Sequence, residues 1–110
     1  MTEPVREREV RTETGCEVEM TFAPQSDFFD GHFDGVPVLP GVVQTGTAVR
    51  ELERLLGRRV VVGEARKLKF ARVVRPGERV KLSLSRKGGS EWAFRYEMDG
   101  ELCSSGILVV

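Results

Sequence analysis

The chain has little of what metal, redox or nucleic-acid chemistry usually requires. It holds one histidine, His32, and two cysteines, Cys16 and Cys103, in 110 residues. The two cysteines are far apart and match no metal-ligand spacing, so a transition-metal site is not expected. Both are expected as small buried hydrophobes on strands. Charge of either sign is not in excess: 17 Lys and Arg balance 17 Asp and Glu, for a formal net charge of zero. That leaves no global attraction to a polyanion, and nucleic acid is not an expected partner. Long apolar runs are missing too. None approaches the roughly 20 residues that span a bilayer, and the charged start, Met1 to Arg8, lacks an apolar signal segment. A cytoplasmic protein is expected.

What is present is an ordinary globular composition, 40% apolar and 31% charged, in a length that suits one domain, residues 1–110. Val5 to Thr14 alternates Arg and Glu, as a solvated edge strand or a loose segment. In Cys16 to Phe22, residues 16, 18, 20 and 22 are apolar and the others polar, the period of a strand buried on one face. Val42 to Leu56 is the one clear helical stretch. On a helical wheel Val42, Ala48, Val49, Leu52, Leu55 and Leu56 share an apolar arc, with Gln44, Arg50, Glu51 and Arg54 mostly outside it. Gly57 is a natural stop.

The remainder reads as sheet. Val60 to Gly63 is a short apolar strand. Ala65 to Val74 is another, ending in a turn at Pro76-Gly77. Val80, Leu82 and Leu84 alternate with polar residues, as do Trp92, Phe94, Tyr96 and Met98. Asp99-Gly100 is a strong hairpin signal, and Leu102 to Val110 returns as the last strand. The order predicts an α+β domain with the helix against an antiparallel sheet. The last strands are long and carry large side chains, and an exposed edge of that kind favours pairing with a second copy.

Between the first good strand and the helix lies Asp27 to Gly41, with His32, three of the six phenylalanines and two of the five prolines. Gly31-His32-Phe33-Asp34-Gly35-Val36-Pro37-Val38-Leu39-Pro40-Gly41-Val42 resembles the signature of the 3-hydroxyacyl-ACP dehydratases of the FabZ/FabA group, with Asp34 where that pattern has proline. The stretch from Leu68 to Glu78 and the hairpin at Gly100-Glu101-Leu102 extend the likeness to about residues 16–110. The short length and the wording Leu39 to Gln44 resemble the ApeI-like dehydratases of aryl polyene pathways.

The resemblance implies a hot-dog fold, an antiparallel β-sheet wrapped around one central α-helix. It implies a homodimer with a joint sheet, or a higher or heteromeric assembly, with sites at the interface. The substrate would be an acyl thioester on acyl carrier protein or CoA, in a tunnel beside the helix, with no cofactor. His32 would be the catalytic base, because imidazole titrates near neutral pH. Backbone amides at Gly41 and Val42 would hold the developing enolate oxygen. Phe29, Phe33 and Gly46 would line the acyl site.

The family places an acid on the helix, and that position is Gly46 here. Glu53 lies about 10 Å further along the axis. Glu51 points about 140° away, whereas Asp34 is close to His32 in sequence. Two other readings follow: an impaired hot-dog subunit that binds acyl thioesters or partners an active dehydratase, or a hot-dog thioesterase. Gly46 either admits a close neighbour or widens the tunnel. Arg50, Arg54, Arg58, Arg59, Lys67, Lys69 and Arg72 form a candidate rim for an acidic carrier protein.

Overall fold

The computed structural model describes residues 4–23 and 38–110. Within them the chain runs β1 (Val5–Arg11), β2 (Gly15–Thr21), α1 (Gly41–Leu56), β3 (Glu64–Phe70), β4 (Arg79–Gly88), β5 (Glu91–Met98) and β6 (Glu101–Val109). The strands form one sheet in the order β1-β2-β4-β5-β6-β3, with every neighbouring pair antiparallel.

The period-two patterns set which face is buried. Cys16, Val18 and Met20 of β2 stand opposite Leu84, Leu82 and Val80 of β4, and all six are buried. Across the next ladder Leu82 faces Tyr96 and Leu84 faces Phe94. The Phe94 and Tyr96 rings meet edge to face, with centroids 6.1 Å apart, a favourable aromatic geometry. Ala48 and Leu52 of α1 join this core without exposure. The expected fold is therefore found, one helix against an antiparallel sheet, and both cysteines are buried and free.

The inward face of α1 differs from the expected arc. Val42 is 79% exposed, whereas Gln44 and Glu51 are only 3% and 4% exposed. Each buried polar side chain has partners that offset its desolvation. Arg6 of β1 donates to both carboxylate oxygens of Glu51, Nε to Oε2 at 2.8 Å and Nη2 to Oε1 at 3.1 Å. A bulge between Arg6 and Arg8 puts Arg6 opposite Met20 and Glu9 opposite Val18, so both face inward despite their odd spacing. Glu7, the extra residue, bonds to Thr21 and Arg79. A strand with hardly any apolar residues is thus held by ion pairs.

Two strand expectations are corrected. Val60 to Val62 is irregular rather than a strand. Val60 N–H donates to the Glu53 carboxylate at 2.9 Å instead of to a neighbouring strand, and the ladder to β6 begins only with Gly63 N–H on Val109 O. The strand expected to reach Val74 ends at Phe70, because the N–H groups of Ala71 and Arg72 both converge on Cys103 O. β6 sits between β5 and β3, so β3 is the outer strand at that end of the sheet, as β1 is at the other; on β3, Leu68 and Phe70 are 44% and 51% exposed. Its pairing with β6 shifts register between Arg66 and Lys69. Lys67 there adopts φ 54°, the left-handed region.

Candidate functional site

The helix starts without a side-chain cap. Pro40 is the N-cap residue, and its carbonyl accepts from both Val43 N–H and Gln44 N–H at 3.1 Å. The Gly41 and Val42 N–H groups find no backbone acceptor among the described residues, as the geometry of a first turn dictates. They carry the positive end of the helix dipole.

Gly41 is closely approached by a side chain of β3. A Cβ there would stand 2.7 Å from Cζ of Phe70. The Phe70 ring thus lies over the helix start, beside a cleft of about 350 Å³ lined by Leu39, Gly41, Gln44 and residues 70–73. Gln44 is the buried polar wall of this cleft. Its Nε2 donates to Leu39 O at 3.1 Å, and its Oε1 accepts from Ser104 Oγ at 2.6 Å. The Tyr96 hydroxyl donates to Gln44 backbone O at 2.7 Å. Burial pushes the Tyr96 phenol well above its ordinary range, so it stays a neutral donor.

On the other side of the same turns Val42, Val43, Gly46, Thr47 and Arg50 bound a second cleft of about 130 Å³. A Cβ at Gly46 would meet nothing within 4 Å. The glycine therefore serves no packing contact among the described residues. Neither helix carboxylate stands in for an acid here. Glu51 is engaged by Arg6, and Glu53 accepts the Val60 amide.

The structure thus brings Gly41, Val42 and Gly46 together on the first turns of α1. His32, Phe29, Phe33 and Asp34 lie outside the described residues. The basic rim divides. Arg50, Arg54, Arg58 and Arg59 border one shallow depression with Glu53, while Arg72 pairs with Glu101 and lines the Gly41 cleft. A hollow of about 640 Å³ lies against the last turn of α1 at Leu55 and Leu56 and holds none of the residues selected from sequence. Among the described residues no group of three or more His, Cys, Asp or Glu side chains could hold a metal, and no helix is long and apolar enough to cross a membrane.

Sequence reading placed Gln44 on the polar side of the helix and missed Tyr96 and Ser104 as its partners. The inward phase of Tyr96 on β5 was the available signal, since a buried phenol needs an acceptor.

The family model for ApeI-like proteins, described as ApeI dehydratase, matches residues 7–107. The chain belongs to this family. It is also 38% identical over 95 residues to the 3-hydroxyacyl-[acyl-carrier-protein] dehydratase FabZ of Oenococcus oeni, covering 74% of this chain and 68% of that one. The FabZ of Latilactobacillus sakei is 42% identical over 64 residues, 52% of this chain and 46% of the relative. This ApeI-like chain thus spans from about half to two thirds of the length of these relatives. Among solved structures, the dehydratase heterocomplex ApeI:P from Xenorhabdus doucetiae superposes with TM-score 0.89 over 98% of this chain and 97% of that one, at 24% identity. An uncharacterized protein from Erwinia carotovora subsp. atroseptica gives TM-score 0.78 at 26% identity, over 98% and 95%. The ApeI-like chain is a FabZ-like, dehydratase-like protein with the hot-dog fold.

Proposed function

We propose that this ApeI-like chain dehydrates 3-hydroxyacyl thioesters carried by acyl carrier protein or CoA, giving trans-2-enoyl thioesters. The observation that carries the reading is the pair of amides at Gly41 and Val42, with no backbone acceptor among the described residues, beside the Gly41–Phe70 cleft, in a chain that matches the dehydratase family over residues 7–107. In the proposed reaction the His32 imidazole removes the C2 proton of the substrate. The electron pair moves onto the thioester oxygen, which the two amides stabilise. The pair then returns to form the C2=C3 bond as the C3 hydroxyl leaves as water, taking back from the His32 imidazolium the proton removed from C2. Phe29 and Phe33 line the acyl site together with Gly41, Val42 and Gly46. Residues 1–110 form one hot-dog domain, cytoplasmic, working as a homodimer through the exposed β3 edge.

The test is formation of the enoyl thioester, followed by its absorbance, from a 3-hydroxyacyl carrier-protein substrate. Wild type should form it, and His32→Ala should lose about 10²–10⁴ in rate. Turnover indifferent to that change rejects His32 as base, and release of free thiol in place of enoyl product identifies a thioesterase.

The open face at Gly46 favours a second reading, in which the chain binds acyl thioesters and a different hot-dog subunit supplies the acid. Glu51 and Glu53 are already engaged and cannot serve there. On this reading the isolated chain shows saturable binding without turnover, and Gly46→Glu creates activity.

A further inference from the structure

We infer that Gln44 is a positioning residue, whose carboxamide sets the orientation of the Gly41 and Val42 amides by holding the Leu39 carbonyl. The inference rests on the reading that those amides receive a thioester carbonyl. Gln44 is buried on the inward face of α1, among side chains such as Ala48 and Leu52. An apolar residue there would bury more favourably, so its polar contacts must be satisfied to be tolerated.

The orientation of the amide is forced by its partners. Leu39 O can only accept, so the NH2 end faces it. The carbonyl end then faces Ser104, whose hydroxyl must donate. Leu39 is held from its other side as well, its N–H donating to Val74 O at 2.8 Å. The peptide leading into the N-cap is thus pinned between the Val73–Val74 segment and the helix. Pro40 has no side-chain acceptor for the first-turn amides, so the Gln44 side chain reaches back one turn and fixes the entry of the chain instead. Tyr96, donating to Gln44 O, ties the same residue to β5. Small displacements at such a point are costly, since about 1 Å of misplacement at a reacting centre lowers rates about 10²-fold.

The probe is butyryl-pantetheine labelled with ¹³C at the carbonyl, which has no hydroxyl to lose and so reports on wild type whether or not it turns over. Bound to wild type, its carbonyl resonance should move downfield as the amides polarise it. In Gln44→Met the Kd should stay within about threefold, while the downfield displacement is lost. In Ser104→Ala, which keeps the Leu39 contact but frees the other end of the amide, the displacement should be reduced. In Gln44→Glu it should return as the pH is lowered, because only the protonated carboxyl can donate to Leu39 O.

A displacement that survives in both Gln44→Met and Ser104→Ala, with only the melting temperature lowered, overturns the positioning role and leaves the thioester site standing. Wild type that shows no saturable binding overturns the thioester reading itself, and this inference with it. Should Gln44→Met fail to fold, Ser104→Ala decides by the same displacement.

Discussion

Arg6 and Glu51, 45 positions apart in sequence, form a two-pronged ion pair that fastens the first strand of the sheet to the middle of the only helix among the described residues. The carboxylate is buried and the guanidinium partly exposed. Its hydrogen bonds to Glu51 raise the Arg6 pKa further above its already high ordinary value, so the guanidinium stays charged at any working pH. Arg6→Ala should cost about 2 kcal/mol of stability, between the values for surface and fully buried pairs, because the stranded carboxylate keeps Arg54 at 3.7 Å as a weaker partner. The double variant Arg6→Met, Glu51→Leu should lose less than Arg6→Ala alone. Denaturant midpoints for the two proteins check the order.

Gly46→Ala should raise stability by about 1 kcal/mol, since the new methyl meets open space and a helix prefers alanine. Gly15→Ala should do the opposite. A Cβ there would lie 1.9 Å from the carbonyl oxygen of Leu84, which belongs to a paired strand and cannot give way. Thermal unfolding of the two variants should move in opposite directions.

Burial pushes the Cys16 thiol up to about 11 from an ordinary value of 9.0. The folded state therefore holds this proton more tightly than the unfolded chain. The resulting stabilisation is complete below about pH 9 and disappears as the pH rises to about 11. Unfolding free energy should fall across that window, and Cys16→Ala should flatten the slope. At pH 8 neither Cys16 nor Cys103 should react with a disulfide reagent until denaturant is added.

Carboxylates act at the other end of the scale. Hydrogen bonds from Arg6, Arg79 and Arg95 hold Glu9, Glu7 and Glu97 below the usual carboxylate range. Their contribution is present above about pH 4.5 and is lost as they protonate below it. Arg79→Gln should reduce the acid sensitivity read by titrating the folded fraction.

If β3 is the dimer edge, replacing an outward-bonding residue such as Ala65 by proline should yield monomers without unfolding the chain, because only the free side of the strand loses a donor. Sedimentation velocity distinguishes the two states. A dimer that persists places the interface elsewhere.

Much of the fold was legible because the strands that build the core alternate strictly. Cys16 to Phe22, Val80 to Leu84 and Trp92 to Met98 each present one buried face, and Asp99 takes the left-handed turn conformation that its pairing with Gly100 predicted. The errors share a physical origin, which is that apolar character does not say where the backbone hydrogen bonds go. Val60 to Val62 looks like a strand, yet Val60 bonds to a helix carboxylate. Leu68 and Phe70 alternate as on a strand with one buried face, yet both are exposed on an outer strand. Gln44 and Glu51 look like surface residues, and only the remote partners Ser104 and Arg6 make their burial tolerable. Of the candidate site, Gly41, Val42 and Gly46 could be located, because they lie on a helix that its own pattern announces.

The kink at Lys67 has a consequence for crowding and handling. Its left-handed backbone interrupts β3, one of the two outer strands, midway, so a flat, indefinitely repeating stack of chains cannot dock along the whole length of that strand. Whatever adds to that border must share its bend, which admits a shaped mate and turns away fibril growth.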